Sequence, residues 1–194
     1  KHWNDRMTAS QWRTALGLAV VAASIVLSNV MITVRIPSVV EQVGHGTAQT
    51  AGLILAAMQF VGILAGLAFS PLTQLFRDRL LVVSGVAYGL TQMLIGLSTN
   101  LWMLAIVTVL AGFAYSVALT TVFNVLSDQM PAGVLSQATS IAVLGCSAGS
   151  IATTFVLSLL GTVSSAPAFI FGFSGILMIL ISFFGLWIVR KSGK

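Results

Sequence analysis

Gly145-Cys146-Ser147-Ala148-Gly149 has the spacing G-x-S-x-G, which in many hydrolases presents a nucleophilic serine on a sharp strand-to-helix turn. Nucleophilic chemistry needs a base within hydrogen-bond reach of that serine. The only histidines are His2 and His45, both far along the chain, and no Asp, Glu or Lys shares the apolar stretch around Ser147. The motif therefore reads as two packing glycines on a helix, and an intramembrane serine protease is the least favoured function. Metal chemistry has as little to stand on. Two histidines, one cysteine and four acidic residues give no ligand pair at helical spacing. No metal, haem or other cofactor is expected.

The polar residues that remain are mostly uncharged and sit inside apolar stretches. Asn29, Thr33, Gln59, Tyr115 and Asn124 are costly to leave in hydrocarbon. Two roles are open to them: hydrogen bonds between helices, or the lining of a hydrated cavity. Asn29 and Thr33 stand one helical turn apart and share a face. Arg35 is the one cation at the far end of the first apolar stretch. It can line a pathway, pair with Glu41 or snorkel to lipid headgroups.

These residues must be positioned by helices in a bilayer. The chain has 194 residues, 57% hydrophobic and only 7% charged, against about 25% charged in a soluble domain. That composition excludes a soluble enzyme, a nucleic-acid binder and a disordered chain. The net charge of +5 is distributed between apolar segments and not along one phosphate-binding face. One cysteine, Cys146, precludes an intrachain disulfide. About 20 apolar residues cross the hydrocarbon core, and six stretches qualify: Thr14–Val34, Thr50–Ser70, Leu80–Leu97, Leu101–Val125, Ala138–Leu160 and Pro167–Val189. Pro37 with Gly44-His45-Gly46 is expected to end the first, and Pro71 with Arg77-Asp78-Arg79 the second. Ser98-Thr99-Asn100 can cap the fourth, and Pro167 opens the sixth. The expected layout is a flank at 1–13, a single six-helix domain at 14–190 and a tail at 191–194.

Orientation follows from the basic residues. Lys1, Arg6, Arg13, Arg77, Arg79, Arg190, Lys191 and Lys194 fall on one side of a six-span bundle, and only Arg35 on the other. Both termini are expected in the cytoplasm and His45 outside. Close helix contacts in lipid need small residues, which Gly62-x-x-x-Gly66, Gly85-x-x-x-Gly89 and Gly145-x-x-x-Gly149 provide. The sixth span, with Phe171, Phe173, Phe183 and Phe184, reads as apolar all round and peripheral. Spans one, two, four and five hold most polar residues, with Tyr88 and Gln92 making span three intermediate. That is the division a three-plus-three repeat would give.

The loop after the second span, Ser70-Pro71-Leu72-Thr73-Gln74-Leu75-Phe76-Arg77-Asp78-Arg79, resembles the loop motif G-x-L-a-D-r-x-G-r-[kr] of the major facilitator superfamily. Pro71, Leu72, Phe76 and Arg79 fit. Ser70, Gln74 and Arg77 replace the first glycine, the aspartate and the second glycine. Ala111-Gly112-Phe113-Ala114-Tyr115 through Leu126-Ser127-Asp128-Gln129-Met130-Pro131 is similar to the family's fourth or tenth helix. Thr108 stands where an N-terminal half often has arginine. The resemblance is to a C-terminal six-helix half, or to a half-size member, in a bundle of the 3+3 repeat type.

That resemblance implies transport of a small organic solute by alternating access. Spans one, two, four and five would line the cavity. Asn29, Thr33, Arg35, Gln59, Tyr115 and Asn124 would contact the substrate. Arg77, Asp78, Arg79 and Asp128 would form a cytoplasmic gate, with Asp128 pairing to Arg77 or Arg79. The implied partners are the lipid bilayer, the solute and a second six-helix half; no nucleic acid is among them. The second half is either upstream in the original polypeptide, as the missing initiator Met suggests, or a second copy of the chain. The implied location is a bacterial inner membrane, as a multi-pass protein. The rival of a different class is a non-transporting membrane scaffold in which the same polar residues only join helices.

Overall fold

The computed structural model describes residues 7–76 and 79–192, with the backbone alone for Ser192. Within them the regular elements are six helices: α1 (Ala9–Gly44), α2 (Ala48–Phe76), α3 (Leu80–Gly96), α4 (Leu101–Gln129), α5 (Ala132–Val163) and α6 (Pro167–Ser192). All except α3 are long and apolar enough to cross a membrane, and α3 has 17 residues. The chain is a multi-pass membrane protein.

Several helix ends follow their local chemistry. Thr8 and Gln11 form a reciprocal capping box at the start of α1. Asn100 accepts the Met103 amide at 2.8 Å and caps α4, as its position suggests. Pro167 is the first residue of α6. At the end of α1, His45 adopts the left-handed conformation (φ 49°, ψ 30°). Its amide donates to Glu41 and the Gly46 amide to Val40, so orphan carbonyls are satisfied by a Schellman turn.

The first two helices end at Gly44-His45 and at Phe76, within the expected breaks, but the prolines do not end them. Pro37 and Pro71 lie inside α1 and α2, which run on to Gly44 and Phe76. A proline deletes one backbone donor, but neighbouring helices and Ser/Thr side chains re-satisfy the freed groups in membrane helices. The carbonyls these prolines leave without a donor are those of Thr33 and Leu67, four residues back. The nearby hydroxyls of Ser38 and Thr73 bond other carbonyls, those of Arg35 and Phe69, at 2.8 and 2.9 Å. The helices are consequently longer than the spans read from hydropathy.

Packing is pairwise and uses small residues. α1 lies against α5, α2 against α4, and α3 against both α4 and α6, while α6 also touches α1. A Cβ at Gly145 would sit 2.5 Å from the Ala19 carbonyl, and one at Gly149 would collide with the Ala23 carbonyl. These two glycines therefore let the α5 backbone reach α1. Gly89 and Gly175 do the same for α3 and α6. The pair in α2 divides: Gly62 packs on Ser116 of α4, whereas Gly66 faces open space. The main core runs through α1, α3 and α4, from Leu18, Ile25 and Ile32 to Tyr88, Leu104 and Leu126.

Helix α6 departs from the apolar rim expected of it. Its outer face, Phe173, Ile176, Leu180 and Phe183, is exposed as expected. Its inner face buries Ser174 and Ser182 against α3 and α1. The Ser174 hydroxyl lies 3.1 Å from that of Ser28 and donates to the Gln92 side-chain carbonyl. A buried polar triad thus ties α1, α3 and α6 together. Tyr88 and Gln92 are fully buried within α3.

Candidate functional site

The least covered of the long helices are α2 and α5. Each packs mainly along one face, α5 on α1 and α2 on α4, and so presents a second face outward. On α5 that face divides. Ser136, Ser140, Ser147, Ser150, Thr154 and Ser158 recur with the period of a helix and are all exposed. Leu144, Ile151, Phe155 and Leu159 form an adjacent apolar stripe, also exposed. Ser140, Ser147 and Ser150 donate their protons to carbonyls one turn back at 2.9–3.2 Å. That bond uses the single hydroxyl proton and leaves lone pairs pointing outward. Ser147 therefore sits in continuous helix as one member of a hydroxyl stripe, and its bond among the described residues goes to the helix backbone. Nothing about it resembles a nucleophile elbow.

Helix α2 has a matching stripe. Gly52, Ala56, Gln59, Ile63, Gly66 and Ser70 are exposed along one side. Gly52 and Gly66 have nothing within 4 Å of a built Cβ. Small residues are needed for close helix approach, yet none of the described residues approaches these two.

The residues singled out for solute contact are distributed over this side and the helices behind it. Asn29 is buried in α1, and its side-chain carbonyl has no hydrogen-bond partner among the described residues. Thr33, one turn on, is exposed and donates to the Asn29 backbone carbonyl at 3.0 Å. Gln59 is exposed on α2. Tyr115 is half-buried in α4, its ring 5.9 Å from that of Tyr88 on α3. No hydrogen bond joins Asn29, Gln59 and Tyr115 to one another among the described residues.

Arg35 has a definite anchor. Its guanidinium donates to the Ser165 carbonyl at 2.8 Å, in the turn between α5 and α6. Glu41 is exposed and is not its partner. The bond ties the far end of α1 to the end of the helix pair that flanks it.

Asn124 lies one helical turn from Asp128, the acid expected at a cytoplasmic gate. Its amide donates to the Asp128 carboxylate at 3.5 Å. Both line a cleft of about 410 Å³ where α2, α3, α4 and α6 end together, with Thr73, Leu81, Thr121 and Gln129. Of the other gate positions, Arg77 and Asp78 lie outside the described residues. Arg79 is exposed at the N-terminus of α3, and among the described residues the partner of Asp128 is Asn124.

Reading the sequence for residue type selected Asn, Gln, Tyr and Arg and passed over most of the serines. The α5 stripe was open to detection through its periodicity, from Ser136 to Ser158. Ser174 and Ser182 carried no such signal, because phenylalanines and leucines dominate the same segment.

The family model of the Major Facilitator Superfamily matches residues 16–194. A comparison with individually curated proteins returns no match.

Proposed function

The chain belongs to the major facilitator superfamily, a family of membrane transporters, and from that premise we propose that it is one six-helix half of a secondary transporter. It moves a small organic solute by alternating access, with α1, α2, α4 and α5 toward the solute path. The observation that carries this reading is the hydroxyl stripe on α5. A row of lone pairs has no reason to face hydrocarbon when an apolar stripe is available on the same helix. The hydroxyls face water or a partner, and the apolar stripe faces lipid.

All six helices cross the membrane in this reading, with both termini in the cytoplasm of a bacterial-type inner membrane. The basic residues on the side of the termini support that orientation. The packing pattern supports a three-plus-three repeat. Exchanging the first three helices for the last three turns the α1–α5 contact into α4–α2 and the α1–α6 contact into α4–α3, and each of these is present. An odd number of helices per unit makes such a repeat inverted.

The exposed small residues on α2, Gly52, Ala56, Gly66 and Ser70, support a second six-helix half as partner, covalently attached upstream or supplied by a second copy. Asn29, Thr33, Gln59 and Tyr115 offer amide, hydroxyl and phenol groups among apolar walls. That set suits a neutral, anionic or amphipathic organic solute better than a bare cation. Arg35 attracts an anion from the far side. Asp128, with Arg77, Asp78 and Arg79, closes the cytoplasmic end.

Cysteine accessibility tests the reading. In a Cys146→Ser background, cysteines at positions 140, 147 and 154 should react with a water-soluble thiol reagent. Cysteines at 144, 151 and 155 should react slowly. Equal rates on both stripes would sink the aqueous face and leave a scaffold in which α5 only packs.

A further inference from the structure

Between the start of α1 and the end of α6 lies a cleft of about 430 Å³ that the transport reading does not use. It is lined from α1 by Arg13, Leu16 and Val20, and from α6 by Phe184, Trp187 and Lys191. Neither α2 nor α5 contributes to it.

The cleft is graded along the bundle axis. At its mouth are Arg13 and Lys191, both exposed. Lys191 holds its ammonium 4.9 Å from the centre of the Trp187 ring. Arg13 has no hydrogen bond or ion pair among the described residues, and no described acid lines the cleft. From Arg13 to Val20 is about 10 Å along a helix. Over that depth the walls become apolar. Leu16, Val20 and Phe184 are each about half exposed, and the Phe184 and Trp187 rings stack with centroids 6.2 Å apart. The floor is closed where Gly17 meets Ile188.

We propose that this cleft binds one anionic glycerophospholipid from the leaflet beside the chain termini. The phosphate sits between Arg13 and Lys191, and an acyl chain descends along Leu16, Val20 and Phe184. Charge complementarity selects the headgroup: two cations with no carboxylate partner among the described residues meet one phosphodiester. The apolar depth selects a lipid over a soluble phosphate, because the lower walls offer nothing to a free anion. Trp187 stands where an indole favours the membrane–water boundary. The inference needs only that the chain spans a bilayer and is independent of any substrate.

The purified full chain in uncharged detergent, equilibrated with equal amounts of phosphatidylglycerol and phosphatidylcholine, gives the test by native mass spectrometry. Wild-type chain retains phosphatidylglycerol preferentially. In Arg13→Gln/Lys191→Gln that preference falls at least about tenfold, since each cation near an anionic surface contributes on the order of 1 kcal/mol. Arg79→Gln, which removes an exposed cation at the same end but outside the cleft, leaves it intact. A double variant that keeps its preference, or an Arg79→Gln that loses it equally, overturns the site. So does displacement of the lipid by millimolar inorganic phosphate.

A second measurement does not depend on the double variant folding. Phosphatidylglycerol brominated on its acyl chains should quench the part of the tryptophan emission that Trp187→Phe abolishes. Brominated phosphatidylcholine should quench it less. Equal quenching by the two lipids overturns the headgroup selectivity.

Discussion

At the scale of single residues, the buried polar groups fall into satisfied and unsatisfied sets, and the two should respond oppositely to deletion. Tyr88 is fully buried, and its hydroxyl has no partner among the described residues. Deleting an unsatisfied hydroxyl removes a desolvation cost and no bond. Tyr88→Phe should leave the melting temperature in detergent unchanged or raise it. Ser174 bonds both Ser28 and Gln92, so Ser174→Ala should cost about 1 kcal/mol, the usual scale for such bonds in membrane bundles. Equal losses in both variants would mean that the Tyr88 phenol has a partner after all. Arg35 gives a further case. Its bond to the Ser165 carbonyl is charge-assisted, and Arg35→Gln should lower stability by about 1–2 kcal/mol. If unfolding is unchanged while transport falls, Arg35 acts on the solute and not on the fold.

At the scale of the helix, identical glycines have different jobs, and substitution separates them. Gly149→Leu drives a side chain into the Ala23 carbonyl of α1. Overpacking of this kind costs about 1–3 kcal/mol or more, and folded yield should fall sharply. Gly66→Ala meets open space in this chain and should gain about 0.5–1 kcal/mol from helix propensity. If the α2 stripe docks a second half, the bulkier Gly66→Leu keeps the bundle folded but weakens its association, read by sizing in detergent. The sequence disclosed the elements through apolar runs of membrane length and through local chemistry at Asn100 and Pro167. It misled at Pro37 and Pro71, because a proline reads as a stop although a long helix loses only one bond there. It was silent on the inner face of α6, where two serines among many large apolar residues shift the pattern little. Of the candidate site, the residue types were legible but their grouping only in part. Asn124 and Asp128, four apart on α4, are paired by helix spacing alone, whereas only the turn after α5 brings Ser165 to Arg35.

At the scale of the whole molecule, orientation and lipid fit are the measurable properties. If both termini are cytoplasmic, a cysteine at the exposed Gln42 position in Cys146→Ser should react with an impermeant reagent in intact cells. One at Ser127, exposed at the other end of the bundle, should react only after lysis. The reverse pattern would invert the topology. The helices also differ greatly in length. α1 has 36 residues and reaches about 54 Å, while the 17 residues of α3 reach about 26 Å. The hydrocarbon core is about 30 Å thick. The polar and charged ends of α1, with Arg13, Arg35 and Glu41, extend beyond that core, whereas α3 is apolar almost throughout and shorter than it. If α3 crosses the bilayer it falls a few ångströms short, and such a mismatch costs fractions of a kcal/mol per ångström. Vesicles of short acyl chains should hold this protein more stably than vesicles of long ones, which makes membrane thickness itself a control on where it resides.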